Sequence, residues 1–469
     1  MAHIVHRVHA PTRDRQPGSP ASGIGAGSRR SRTRSIVRMI HRPKPPQVRR
    51  RCFLRAAGVA AAAPFILPAR ARGANGRITM ALLGSGSRGT ADMRGFLDED
   101  GIQVIAACDV QQDRRENLAK LVNDHYGANV CTAYRDFREV LQRDDVDMVL
   151  IAPQDHWHAV MAVMAAERGM DMYCEKPLGV SVRECQAIRD AVRRHGVVFQ
   201  TGTQQRSQRN FRHACELARN GYLGAIHTVE VAAPGPHYQR KYKGPVGPQP
   251  VPENLDYEMY VGPAAMKPYN EGRLAWPDWY LIWDYCVGFI TNWGVHHLDI
   301  ALWGCPRLAQ ATFDLECTAD YRNDGLCDNV NGWRATFAYA DGLRMNFSDT
   351  DHPYEQGCKF IGDEGWVHVN RKGIKAEPES LLKQVMRPGE IHLHESEHHQ
   401  HDLVESMRSR RDPVAPVEAG CRASYFGMIA DIAARVRRPV RWDPVAERFE
   451  NDAEASRLLV RPMRAPWSA

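Results

Sequence analysis

Apolar and polar residues change rhythm along this chain. From Ile78 come short, mostly apolar runs: ITMALL (78–83), QVIAAC (103–108), VDMVLIA (146–152), DMYC (171–174) and VVF (197–199). Helical spacing of apolar residues fills the stretches between them. Runs apolar on both faces are buried strands, and strands alternating with helices build a doubly wound parallel sheet. After Gly202 the rhythm becomes period two. ATFDLECTA (311–319), NGWRATFAYA (331–340), LRMNFSD (343–349) and KFIGDEGWVHV (359–369) follow one another without helices between. That pattern predicts an α+β domain with an open, mainly antiparallel sheet.

The first strand ends in GSGSRG, Gly84 to Gly89, which fits G-x-G-x-x-G. Gly84 permits the tight turn, Gly86 lets a pyrophosphate approach the backbone, and Gly89 allows close helix–strand packing. Ser87 and Arg88 complete the loop, and the helix that follows offers free N–H groups to phosphates. The second strand ends in Asp109, whose carboxylate suits both ribose hydroxyls of NAD and repels a 2′-phosphate. NAD is therefore the expected cofactor, with NADP less favoured. Arg88 and Arg114 bear on any tolerance of NADP.

Four features in this order resemble the Gfo/Idh/MocA oxidoreductases, which include glucose–fructose oxidoreductase and inositol dehydrogenases. They are GSGSRG, Asp109, HWHA (156–159) and CEKPLGVSV (174–182). The resemblance implies a Rossmann domain over 77–200, a substrate and oligomerisation domain over 201–440, and a returning segment over 441–469. It implies that Glu175-Lys176-Pro177 closes the nucleotide domain, with Lys176 between nicotinamide and substrate. It also brings His158 near the nicotinamide. A lysine at a strand's C-terminal end in such a sheet faces the ligand crevice in any case, where it stabilises a developing alkoxide.

In the second domain NWGVHHLD (292–299) places Asn292, His296 and Asp299 on one helical face, while Trp293 and His297 fall on another. Relatives carry Asp-x-Gly-x-His here, and their histidine is commonly the acid/base. This chain keeps Gly294 and His296 but has Asn292 for the aspartate. Asn cannot take a proton, yet it hydrogen-bonds a hydroxyl in either sense. Lys176, His296 and Asn292 are the expected catalytic set. Adjacent histidines diverge on a helix, and no H-E-x-x-H spacing occurs, so no metal site is expected. HESEHHQHDL (394–403) reads as an exposed polar helix end. RLAWPDWYLIWDY (273–285) is dense in aromatic rings, which pack on the C–H faces of sugars. Trp279 and Trp283, with Arg206, Arg273 and Asp299, are the expected substrate contacts.

Charge alters the picture at the front end. The chain has a formal net charge of +7, but residues 1–71 hold fourteen Arg, one Lys and one acid, leaving the remainder at −7. The folded part is acidic and without basic helices, so nucleic acid is not an expected partner. RRCFLR (50–55), the apolar AAGVAAAAPFIL (56–67) and Ala69-Arg70-Ala71 read as a twin-arginine signal behind a disordered basic extension. The apolar stretch is too short to span a bilayer. Export through the Tat machinery, a periplasmic location and prior cofactor loading are the expectation. Of twelve cysteines one lies in the signal, and the other eleven read as buried free thiols. The function expected is NAD-dependent oxidation of a sugar or polyol with a tightly held, internally recycled cofactor, by a homodimer or homotetramer. The alternatives are an NAD-dependent glycosidase or lyase using transient oxidation, and a non-catalytic exported sugar sensor.

Overall fold

The computed structural model describes residues 76–235, 245–321, 325–352 and 354–469. The basic extension and twin-arginine segment lie outside the described residues, as does part of the loop after Pro234.

The first sheet is built from β1 (Ile78–Leu83), β2 (Ile102–Cys108), β3 (Thr132–Tyr134), β4 (Met148–Ile151), β5 (Asp171–Cys174) and β6 (Phe199–Thr201). Its order is β3-β2-β1-β4-β5-β6, and every pairing is parallel. The connecting helices are α1 (Ser87–Leu97), α2 (Gln112–Tyr126), α3 (Phe137–Leu141), α4 (His158–Glu167) and α5 (Val182–His195). Strand order reverses between β1 and β4, and ligands of such sheets bind at the carboxyl ends of the strands beside that point. All four residues of β4 and of β5 are buried, which explains the unbroken apolar run of β4, while Asp171 in β5 accepts from Val198 N and Arg410.

Helix α6 (Arg209–Arg219) and strand β7 (Ile226–Ala233) open the second domain, followed by the short α7 (Tyr257–Val261), α8 (Phe289–Asn292) and α9 (Gly294–Gly304). Then come β8 (Phe313–Tyr321), β9 (Val330–Tyr339), β10 (Arg344–Asp349), β11 (Gly357–Gly362), β12 (Gly365–Asn370) and β13 (Gly373–Glu377). The chain ends with α10 (His399–Ser409), α11 (Val417–Val436), β14 (Val440–Asp443), β15 (Arg448–Phe449) and α12 (Ala453–Arg457). The nine-stranded order is β13-β12-β11-β7-β10-β9-β8-β14-β15. Its pairings are antiparallel except that of β7 with β10. Buried and exposed residues alternate along most of β8, as the period-two pattern requires.

Two segments of the second half return to the first sheet. Leu403, Val404 and Met407 of α10 join the apolar cluster that holds Met80, Leu82, Met93 and Phe96. Near the C-terminus Trp467 packs edge-on against Trp157, 4.7 Å between ring centroids. Helix α11 runs between the domains with the least clearance. A Cβ on Gly420 would lie 2.1 Å from Thr201 Oγ1, and one on Gly427 would lie 2.8 Å from the Ile290 carbonyl oxygen. These two glycines let one helix touch both β6 and α8. Gly420→Ala is therefore expected to destabilise the protein by about 1–3 kcal/mol, the usual cost of overpacking. The measure is the urea midpoint at unchanged m; an unshifted midpoint would show that α11 has room to move.

Candidate functional site

The glycine loop is shaped by contact. Gly84 has φ +96°, and a Cβ there would sit 2.5 Å from the Pro153 nitrogen. A Cβ on Gly89 would sit 2.2 Å from the Gly84 carbonyl oxygen. Only glycine fits either place, and the result is a backbone groove where β1 meets α1. The N-cap of α1 is Gly86, with no side-chain cap and no acid in the first turn. Its N–H groups are thus left for an anion. Asp109 is 8% exposed, and its two oxygens accept from Ser85 N and Gln111 N, each at 2.8 Å. Burial raises its carboxyl above the usual range; those N–H groups and Arg114 and Arg115 oppose the rise.

Two adjoining cavities open here. The first holds about 630 Å³ and is walled by Gly84, Gly86, Asp109, Gln111 and Arg135 among others. The second holds about 790 Å³ and is walled by Ser87, Arg88, Asp155, His158, Glu175, Lys176, Trp276, Trp279, Tyr280 and Asn292. Gly86, Arg114, Ala152, Pro153, Gln154 and Leu274 line both. The groove, the acid at the end of β2 and the uncapped helix fit the phosphates and ribose of a dinucleotide. Arg88 faces that second cavity. Its Nε donates to Asp92 at 2.9 Å and lies 3.9 Å from Glu175, so it is held away from the ribose that Asp109 would bind. That removes Arg88 as a 2′-phosphate contact; Arg114 alone of the two arginines lines the first cavity.

Lys176 precedes a cis peptide to Pro177. Its Nζ donates to the Asn292 backbone oxygen and to Asn292 Oδ1, each at 2.8 Å. Asn292 in turn donates from Nδ2 to both oxygens of Asp155 at 3.2 Å. Burial pulls the Lys176 ammonium below the usual lysine range, while Glu175 and Asp155 pull it back up. His158 fixes the surrounding loops, with Nδ1 2.7 Å from the Pro177 carbonyl and Nε2 3.2 Å from that of Pro153. Glu175 accepts from Gln204 at 2.9 Å.

The opening expectation of one helix over 292–299 meets a break. Asn292 ends α8 and Gly294 starts α9, with Trp293 between at φ −90° and ψ −38°. The break divides the three residues among three tasks. Asn292 faces the cavity. His296 is 5% exposed; burial first, then the charges of Lys176 and Arg371, hold its imidazole well below the usual range, so it is neutral. Asp299 does not face the cavity. It forms a doubly bonded, buried ion pair with Arg206, 2.7 Å on each arm. Arg206 and Asp299, expected at the substrate, instead tie the turn after β6 to α9. His297 is fully buried against Trp293, and burial lowers it to about 3.

The aromatic stretch divides as well. Trp279 lines the second cavity with Tyr280, their rings 3.9 Å apart. Trp283 does not serve as a sugar platform. The Cζ atoms of Arg461 and Arg435 lie 3.2 and 3.4 Å from its ring centroid, a spacing that only opposite faces allow. Both faces are thus covered. Arg273 is engaged with its own loop, donating to the Pro268 oxygen at 3.2 Å. Sequence reasoning missed Asp155 and Arg371, and within the aromatic stretch it singled out Trp279 and Trp283 but not Trp276 and Tyr280. Asp155 adjoins the HWH motif at the end of β4, which is the one local signal available. Among the described residues no group of three His, Cys, Asp or Glu converges to hold a metal ion, and no helix is long and apolar enough to cross a membrane. His394 and Asp402 pair with each other at 2.5 Å. All eleven described cysteines are buried and free.

Residues 78–203 match the family model "Oxidoreductase family, NAD-binding Rossmann fold", and residues 210–469 match "Oxidoreductase family, C-terminal alpha/beta domain". Myo-inositol 2-dehydrogenase of Thermotoga maritima is 28% identical over 156 residues, 33% of this chain and 45% of that protein. Glycosyl hydrolase family 109 protein 1 of Shewanella sp. is 31% identical over 120 residues, 25% of this chain and 26% of that protein. Matches to curated relatives of this kind span about half of their length or less. In fold, the chain is similar to scyllo-inositol dehydrogenase from Lactobacillus casei, solved with NAD(H) and scyllo-inositol. The TM-score is 0.55 at 15% identity, over 78% of this chain and 99% of that one.

Two buried histidines set an acid limit on stability. His156, whose Nε2 bonds the Tyr260 carbonyl oxygen at 3.1 Å, is lowered by burial to about 4, and His297 to about 3. An unfolded histidine takes up its proton below 6.5 and these two do not. The unfolded state therefore binds more protons, and stability falls as pH drops from 6.5 towards 4, by about 1.4 kcal/mol per pH unit for each ring. His297→Leu is expected to flatten that acid limb in urea titrations across this window. An unchanged slope would mean His297 protonates freely in the folded chain.

Proposed function

This chain belongs to the Gfo/Idh/MocA oxidoreductase family, and we propose that it oxidises a carbinol of a sugar, polyol or sugar derivative with NAD held in the two adjoining cavities. The supporting observation is a half-buried ammonium, Lys176, lining the same cavity as the rings of Trp276, Trp279 and Tyr280. Aromatic faces suit the C–H faces of a sugar ring; Gln154, Asn292 and Lys176 suit its hydroxyls. Bound NAD supplies the hydride acceptor. Lys176 donates to the carbinol oxygen and stabilises its developing negative charge; the neutral His296, which does not itself line the cavity, is the proton acceptor that the family resemblance implies. Asn292 orients Lys176. A polyol substrate is in keeping with the inositol dehydrogenase among the relatives.

The twin-arginine segment supports export with the cofactor already bound, and outside the cytoplasm a tightly held NAD must be recycled on the protein. Self-association as a dimer or tetramer would use the open face of the second sheet, where β8 exposes every second residue over its first six. A second reading is glycosidic cleavage through transient oxidation. It is favoured by Asn292, which holds Lys176 but takes no proton, and by the glycosyl hydrolase family 109 relative.

Purified protein is expected to release close to one NAD(H) per chain on denaturation, read by chromatography; an empty protein that binds added NAD only weakly would contradict the recycling claim. Lys176→Ala is expected to lower kcat/KM by about 10²–10³-fold, the scale of losing one charged donor at a reacting oxygen. Polyol binding, read by calorimetry, should survive. Turnover retained in Lys176→Ala would remove Lys176 from the chemistry.

A further inference from the structure

Asp155 is a carboxylate in an unusual setting. It is 2% exposed, lines the second cavity, and burial raises its carboxyl above the usual range. Its side-chain partners are an amide and a thiol: Asn292 Nδ2 reaches both oxygens at 3.2 Å, and the Cys286 thiol bonds it as well. Burying a carboxylate without a directly bonded cation is costly, and here the compensation comes from its hydrogen bonds and from the nearby charges of His158 and Lys176. Lys176 lies one residue away. Asn292 receives Lys176 on Oδ1 at 2.8 Å while donating to Asp155 from Nδ2.

An amide is directional. Its oxygen only accepts and its NH2 only donates. An ionised Asp155 takes the NH2, so the oxygen of Asn292 must face Lys176. The ammonium has three protons, and Asn292 takes two of them, on its backbone oxygen and on Oδ1. The third is left for whatever occupies the cavity that Lys176 lines. Were Asp155 uncharged, one of the two contacts that set the orientation of the amide would weaken, and Lys176 would have to hold Oδ1 by itself.

We propose that Asp155 is a positioning residue for Lys176, acting through Asn292: its carboxylate orients the amide and keeps the ammonium charged and aimed into the cavity. The proposal rests on the reading of Lys176 as the donor to the reacting oxygen. The charges facing the pair come from several elements. Glu175, Asp155 and Cys286 favour the charged form of Lys176, and Arg371 opposes it, as burial does. His158, Lys176, Cys286 and Asn292 favour ionised Asp155 against its burial.

The test reads the amine itself. Potassium cyanate carbamoylates neutral lysine only, so its rate at Lys176 against pH, followed by peptide mass spectrometry on the full chain, gives the titration of Lys176 without turnover. Asp155→Asn keeps the shape and removes the charge. It is expected to move the Lys176 midpoint down by about one pH unit, making carbamoylation about tenfold faster at a fixed pH below the midpoint. Asn292→Asp brings a carboxylate next to Nζ and should move the midpoint up. The exchange variant Asp155→Asn/Asn292→Asp retains one carboxylate and one amide, which guards against failure of the single variant to fold. Its midpoint should lie at or above that of the native protein. An unmoved midpoint in folded Asp155→Asn, or an exchange variant titrating below the native protein, would overturn the proposal. If no polyol supports hydride transfer but the midpoints shift as stated, the dehydrogenase reading fails while the coupling of Asp155 to Lys176 holds.

Discussion

One half-buried ammonium joins the two halves of this protein. Lys176 leaves the end of β5 in the first sheet and is bonded twice to Asn292, at the end of α8 in the second domain. Burial works against its charge, and Glu175 and Asp155 work for it. A lysine in that balance cannot be moved by an ångström without losing a partner. Its placement depends on everything that fixes β5 against α8, and α11 is the element that touches both neighbourhoods. The helix approaches β6 at Gly420 and α8 at Gly427 with no space for a side chain. Tight packing behind the residues next to Lys176 and Asn292 thereby helps set the position of one nitrogen.

The first sheet contributes the complementary half. Gly84 and Gly89 remove the side chains that would fill the groove between β1 and α1, and Asp109 braces the loop by binding Ser85 N and Gln111 N. The same carboxylate is then already ordered for a ribose. The space lined by Asp109 and the space beside Lys176 adjoin, with Gly86, Pro153 and Gln154 in the walls of both. A hydride acceptor, a charged donor and aromatic walls are brought to one place by strand ends, short turns and one helix end.

Sequence reading succeeded where the signal is local. The nucleotide-binding half was legible because its strands, glycines and acid follow one another within about thirty residues. The antiparallel sheet was legible because burial on one face writes period two into each strand. Errors arose where the partner lies far along the chain. Trp283 looked like a sugar platform until Arg435 and Arg461, from α11 and the C-terminal segment, covered both faces. Arg206 and Asp299 looked like substrate contacts, yet they satisfy each other across 93 positions. Asp155 was passed over for the histidines beside it, because its partner Asn292 is 137 positions away. Buried charges show their purpose only when the opposing charge or amide is in place, and a single sequence does not display that pairing.

Two adjoining cavities, the second walled by Lys176, are the proposed site, and the position of the bound nucleotide tests it most directly. In a crystal structure with NADH and a polyol inhibitor, the adenosine ribose should lie on Asp109, and the nicotinamide should enter the cavity walled by Lys176, Trp279 and Asn292. The Lys176 Nζ should then bond a polyol hydroxyl while remaining on Asn292. A nicotinamide lying outside that cavity, or a polyol hydroxyl out of reach of Lys176, would contradict it.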